Sequence, residues 1–110
     1  MIDADAFFAV DVRVGTVLSA EMNAKARKPA YVLGIDFGPE LGVKRSSAQV
    51  TELYAAEDLV GRQVVAVVNL TPRRIAGVES EVLVLGLADA EGRVALLAPD
   101  RPVPNGARVH

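Results

Sequence analysis

The chain has 110 residues and a net charge of −2, from 12 Lys plus Arg against 14 Asp plus Glu, so it makes one domain, residues 1–110, with no bulk electrostatic pull on nucleic acid. It has no cysteine and one histidine, His110, which excludes disulfides and thiolate metal sites and argues against a zinc centre or histidine-dependent catalysis. Binding to an anionic partner then has to come from a local basic patch.

The N-terminus, Met1-Ile2-Asp3-Ala4-Asp5, is acidic where a secretory leader is basic. No apolar run approaches the ~20 residues that span a bilayer, and the expectation is a soluble, cytoplasmic protein. Residues 4–10 contain Phe7 and Phe8, two of the three phenylalanines. Asp3 or Asp5 is a candidate cap for a short helix there, whose aromatic pair packs on the body or against a second subunit.

Val10, Val12 and Val14 alternate with Asp11 and Arg13, the period of a half-buried strand that continues past Gly15 to Leu18. A glycine inside a strand marks a bulge or bend, which small barrels use so that one strand serves two sheets. Residues 22–29 form a polar loop carrying Lys25, Arg27 and Lys28. Residues 30–37 are the second strand, with Tyr31, Leu33, Ile35 and Phe37 on one face, and residues 38–42 a turn. Residues 43–50 are the third strand. Its Lys44 and Arg45 point to opposite faces, so at most one joins a given patch.

Residues 51–59 read as a short helix with Thr51 as N-cap, Tyr54 and Leu59 inward, and Gly61 ending it. Residues 63–69 are the fourth strand, whose continuous Val-Val-Ala-Val-Val run implies burial on both faces. Residues 81–88 are the fifth, followed by a hairpin turn at 89–92 and a returning strand at 94–98. Three prolines make residues 99–109 an extended, stiff tail. It must lie over something, because Val103 and Val109 gain nothing in solvent.

The fold class is therefore all-β. Five or six strands, glycine bends and one helix between strands three and four match the OB-fold, a five-stranded Greek-key barrel, here with a short N-terminal helix and an extended C-terminal tail. An SH3-like barrel is the alternative. Residues 69–81, held between two apolar runs, are the natural ligand loop. Arg73 and Arg74 match phosphate geometry bidentately, or one of them pairs with Glu79 or Glu81 to hold the loop. Ser80 and Glu81 either read base edges or ribose hydroxyls or brace the turn. The carboxylates are scattered, no Gly-x-Gly-x-x-Gly or Walker A pattern occurs, and Ser46 and Ser47 lack a histidine to activate them. The expectation is a binding protein that is not an enzyme and needs no cofactor or metal.

Two stretches, Asp11-Val12-Arg13-Val14-Gly15-Thr16-Val17 and the run from Val67 through Asn69-Leu70-Thr71-Pro72-Arg73-Arg74 to Gly77 with Ser80-Glu81, resemble the tRNA-binding domain family of OB-folds. Three more segments, Ala26-Arg27-Lys28-Pro29-Ala30-Tyr31, Lys44-Arg45-Ser46-Ser47-Ala48-Gln49-Val50-Thr51 and Pro99-Asp100-Arg101-Pro102-Val103-Pro104-Asn105-Gly106, are similar to its CsaA-like branch. Where other members carry a His-Pro-x-Ala-Asp-Lys-Leu-Tyr type segment, this chain has Ala24-Lys25-Ala26-Arg27-Lys28-Pro29-Ala30-Tyr31, and Val82-Leu83 replaces Gly-Met. Both differences favour that branch.

The resemblance implies a small homodimeric, export-related chaperone for unfolded polypeptides that also binds tRNA. The alternative is a structure-specific tRNA-binding protein with no chaperone role. It puts Asn69, Arg73, Ser80 and Glu81 on positions associated with tRNA recognition, to which Arg74, Arg27, Lys28 and Lys44 add charge. Phe7, Phe8, Pro102, Val103, Pro104 and Val109 are the candidate dimer seam, the alternative being that they close the ends of one barrel.

Overall fold

The structure is a computed structural model describing residues 1–110. Its centre is an antiparallel five-stranded sheet curled into a nearly closed barrel. The strands are β1 (Val12–Met22), β2 (Tyr31–Asp36), β3 (Val43–Ala48), β4 (Gln63–Val67) and β7 (Leu83–Val84), in the order β3-β2-β1-β4-β7. Two hairpins stand off it: β5 (Arg73–Ile75) with β6 (Val78–Ser80), and β8 (Gly86–Ala88) with β9 (Val94–Leu96). The helices are short, α1 (Ala4–Phe8) and α2 (Ala56–Leu59). The expected OB-like barrel, with its helix between the third and fourth strands, is the fold observed.

The long strand β1 makes the barrel possible. Its residues 12–16 pair with β4 and its residues 16–22 pair with β2, so it passes from one side of the barrel to the other. The bulge expected at Gly15 lies instead between Val17 and Ser19, where the register skips the exposed Leu18. Gly15 serves close approach. A Cβ there would lie 2.6 Å from Ile35 Cγ2 and 2.8 Å from Phe37 Cδ1. The bend packs backbone against core side chains, which no larger residue permits.

Strand β4 buries both faces, as its apolar run predicts. Val64 and Ala66 enter the main core with Val17, Leu33, Ile35 and Phe37. Val65 and Val67 form a second cluster with Val12 and Val14. The tail covers this second cluster. Val103 and Val109 are half-buried against it. Residues 106–109 run along β1, with Val14 N donating to Ala107 O at 3.0 Å and Gly106 N and Val109 N donating to Val14 O and Val12 O at 2.7 and 2.8 Å. Gln63 pairs both ways with the Val103 backbone, at 2.7 and 3.1 Å.

Three expectations are corrected. The helix predicted over residues 51–59 is only Ala56–Leu59, and Thr51 does not cap it. Tyr54 is held out of helical register by tertiary bonds: its carbonyl accepts from Tyr31 Oη at 2.7 Å and its hydroxyl accepts from Leu96 N at 2.9 Å. The fifth strand divides at Leu85 into β7, paired with β4, and β8, paired with β9. The connection 69–81 is a β-hairpin rather than a loop.

Candidate nucleic-acid interface

The hairpin β5–β6 turns through Ala76-Gly77, with φ of 48° and 82°. Two successive left-handed residues give the two-residue turn whose twist matches that of its strands. Register places Arg73 opposite Ser80, Arg74 opposite Glu79 and Ile75 opposite Val78. Side chains alternate along a strand, so Arg73, Ile75, Val78 and Ser80 share one face and Arg74 and Glu79 the other. The two adjacent arginines thus point apart. Arg74 donates to Gly77 O at 3.2 Å, within its own hairpin. Both arginines are exposed and neither is in an ion pair.

The basic connection between β1 and β2 folds back onto this hairpin. Asn23 shapes it, with Asn23 N donating to Ala30 O and Lys25 N donating to Asn23 Oδ1 at 3.1 Å. Lys25 reaches the hairpin turn, where a Cβ on Gly77 would lie 3.5 Å from its Cδ. Between the two connections lies a groove of about 530 Å³, with Lys25, Arg27 and Lys28 on one wall, Ile75 and Ala76 on the other, and Ser47 and Gln49 of the β3 region between them. A smaller cavity of about 140 Å³ continues it past Ser47 and Ile75 to Arg73 and Leu70. The two connections flanking the β2–β3 surface are where OB-folds present their ligand face.

Of the residues singled out in the sequence, Arg27 and Lys28 line the larger groove, and Arg73, Ser80 and Glu81 line the smaller cavity that continues it. Lys44 lines neither. It stands in register with Ile35, on the core-facing side of β3, and its Nζ lies 3.8 Å from Glu81 Oε2. Arg45, on the outer face, is the exposed cation of that pair. Asn69, Ser80 and Glu81 are engaged within the protein. Asn69 Oδ1 accepts from Asp11 N and its Nδ2 donates to Ala9 O, both at 2.9 Å. Ser80 Oγ accepts from Ser47 N at 3.0 Å and Glu81 Oε1 from Arg45 N at 3.1 Å, while Glu81 N donates to Arg45 O at 2.8 Å. Glu81 braces β3, not either hairpin arginine. Ser47, Gln49 and Ile75 were not legible as groove residues, because only the packing of β3 against the hairpin brings them together.

Away from the groove, the carboxylate of Asp11 bonds Arg13 Nε at 2.6 Å and lies 3.4 Å from Arg108 Nε. The Arg13 hydrogen bond, assisted by the charge of Arg108, holds the Asp11 carboxyl below its usual range against the opposing effect of burial. Arg108 also donates to Phe8 O at 2.8 Å, tying tail to N-terminal segment. Phe7 and Phe8 are both exposed, edge to face at 5.1 Å, and α1 buries no residue. Pro102 and Pro104 are exposed on either side of Val103.

Residues 12–108 match a family described as a putative tRNA-binding domain. The whole chain is 36% identical to part of a methionine–tRNA ligase from Flavobacterium johnsoniae, and 99% of it is 43% identical to part of one from Methanothrix thermoacetophila. It spans only 15% and 16% of the length of those relatives. It superposes over its full length on a CsaA chaperone structure from Bacillus anthracis, covering 99% of that chain at 52% identity and a TM-score of 0.93. A CsaA chaperone structure from Picrophilus torridus gives 43% identity, a TM-score of 0.93 and full coverage of both chains.

Proposed function

From the membership of this chain in the tRNA-binding domain family, we propose that it binds tRNA through the groove between the β1–β2 connection and the β5–β6 hairpin. The observation that carries the reading is convergence. Lys25, Arg27 and Lys28 from one connection and Arg73 from another, 45 or more residues away in sequence, line one continuous concave surface. A chain with net charge −2 thereby acquires a local site for phosphates. No aromatic ring lies on that surface. Tyr31 and Phe37 are buried, Tyr54 is half-buried, and Phe7 and Phe8 sit on α1. Base stacking, the usual source of affinity for unpaired strands, is replaced by contacts to phosphate and ribose that follow the shape of a folded RNA. The role is that of a binding module acting in the cytoplasm, not of a catalyst.

Four cations on the groove give a slope of log affinity against log salt of about −3 to −4. Titration of the full chain with a tRNA transcript at several salt concentrations measures it. Arg73→Ala is expected to flatten the slope by about one. Binding that ignores salt would sink the proposal.

A second role, chaperoning unfolded or export-bound polypeptides as a homodimer, is supported by the likeness to the two CsaA chaperone structures and by the exposed Phe7 and Phe8. The dimer seam in this reading comprises Phe7, Phe8, Pro102, Val103, Pro104 and Val109. Val103 and Val109 then extend to the partner a surface they already half cover within one chain. A crosslinking pull-down from cytosol with and without nuclease separates the roles. Capture of polypeptide that survives nuclease is expected; recovery of RNA alone would remove the chaperone.

A further inference from the structure

Three of the four motif positions, Asn69, Ser80 and Glu81, make their hydrogen bonds to backbone groups of this chain. These bonds fall at the two feet of the β5–β6 hairpin. At the first foot Asn69 grips the segment before β1, bonding Ala9 O and Asp11 N together, while Val68 N donates to Asp11 O at 2.9 Å. At the second foot Ser80 and Glu81 accept from Ser47 N and Arg45 N, along the edge of β3 opposite β2, where β6 packs without forming a ladder. A side-chain oxygen here stands in for the missing ladder partner, and an edge amide left without one carries a desolvation cost.

We infer that Asn69, Ser80 and Glu81 are positioning residues of the RNA site, clamping the hairpin at both feet so that Arg73 faces the groove, and that they do not themselves contact RNA. The assignment rests on the tRNA reading above. It changes what the resemblance implies: the polar residues of the motif act on the protein, and the cations act on the ligand. The geometry also explains why two unlike polar residues stand side by side at 80 and 81. Ser80 serves the amide of Ser47 and Glu81 that of Arg45, two residues apart on the same edge of β3.

The test uses the full chain, an unmodified tRNA transcript and amide hydrogen exchange. Asn69→Ala is expected to speed exchange at Asp11 and through residues 73–80, and to weaken affinity about fivefold, the loss expected for a hydrogen bond, with the salt slope unchanged. Glu81→Gln keeps the acceptor for Arg45 N and is expected to bind within about twofold of the parent, while Glu81→Ala loses about as much as Asn69→Ala. Should Asn69→Ala not fold, the Glu81 pair carries the test alone. Equal damage from Glu81→Gln and Glu81→Ala, or a loss of affinity in Asn69→Ala with exchange at Asp11 and the hairpin untouched, would mean direct contact and overturn the assignment. If Arg73→Ala leaves both affinity and slope unchanged, the RNA site itself is wrong, whatever the exchange data show.

Discussion

Gly15 sits where β1 leaves β4 and meets β2, and its missing side chain lets Ile35 and Phe37 close over the backbone. Gly15→Ala would place a methyl at 2.6 to 2.9 Å from Ile35 Cγ2, Phe37 Cδ1 and the Asp36 carbonyl oxygen. Overpacking of this kind costs about 1–3 kcal/mol, to be read as a lower urea midpoint with the denaturant slope retained. That Gly15 mattered was legible from its place inside an alternating run. That it makes room for core side chains, while the bulge falls at Leu18, was not. The reason is that the contacts involved come from the end of β2 and from Phe37 just after it, about 20 residues further along. The motif residues show the same limit: Asn69 bonds partners 58 and 60 residues away, and Glu81 and Ser80 bond partners 36 and 33 residues away. Sequence shows their polarity but not whether RNA or backbone receives it.

The elements divide by how local their causes are. Strands β2 and β4 follow from alternation and from a continuous apolar run, and both were legible. Helix α2 fell short of its predicted span because two hydrogen bonds from distant strands hold Tyr54 outside it. The hairpin β5–β6 was hidden by its turn. Ala76 at φ 48° is a residue that rarely adopts the left-handed region, so Ala-Gly does not announce the turn as Asn-Gly would. The same fact gives a prediction. Ala76→Asn is expected to relieve about 1 kcal/mol of backbone strain and to slow amide exchange across residues 73–80. Unchanged or faster exchange would show that the turn is not strained.

Taken whole, the molecule is a barrel whose chain order was readable and whose closures were not. The OB-like order and the helix between the third and fourth strands follow from patterning. The closures come from the tail on β1 and the second hairpin foot on β3. The tail's prolines and valines said only that it had to cover something. What it covers is the half of β1 that β2 leaves open, through bonds from residues 106–109 to Val12 and Val14.

That cover has a consequence for how the protein behaves in a crowded solution. A bare strand edge recruits any extended segment it meets, including the same edge of another copy. The tail is this barrel's own guard against such templating, held by the Gln63 amide and by the Thr16 hydroxyl, which donates to Asn105 Oδ1 at 2.7 Å. Truncation after Pro102 is expected to expose the edge together with Val12, Val14, Val65 and Val67, and to give concentration-dependent aggregates in light scattering. A truncated chain that stayed dispersed at high concentration would show that the edge needs no guard.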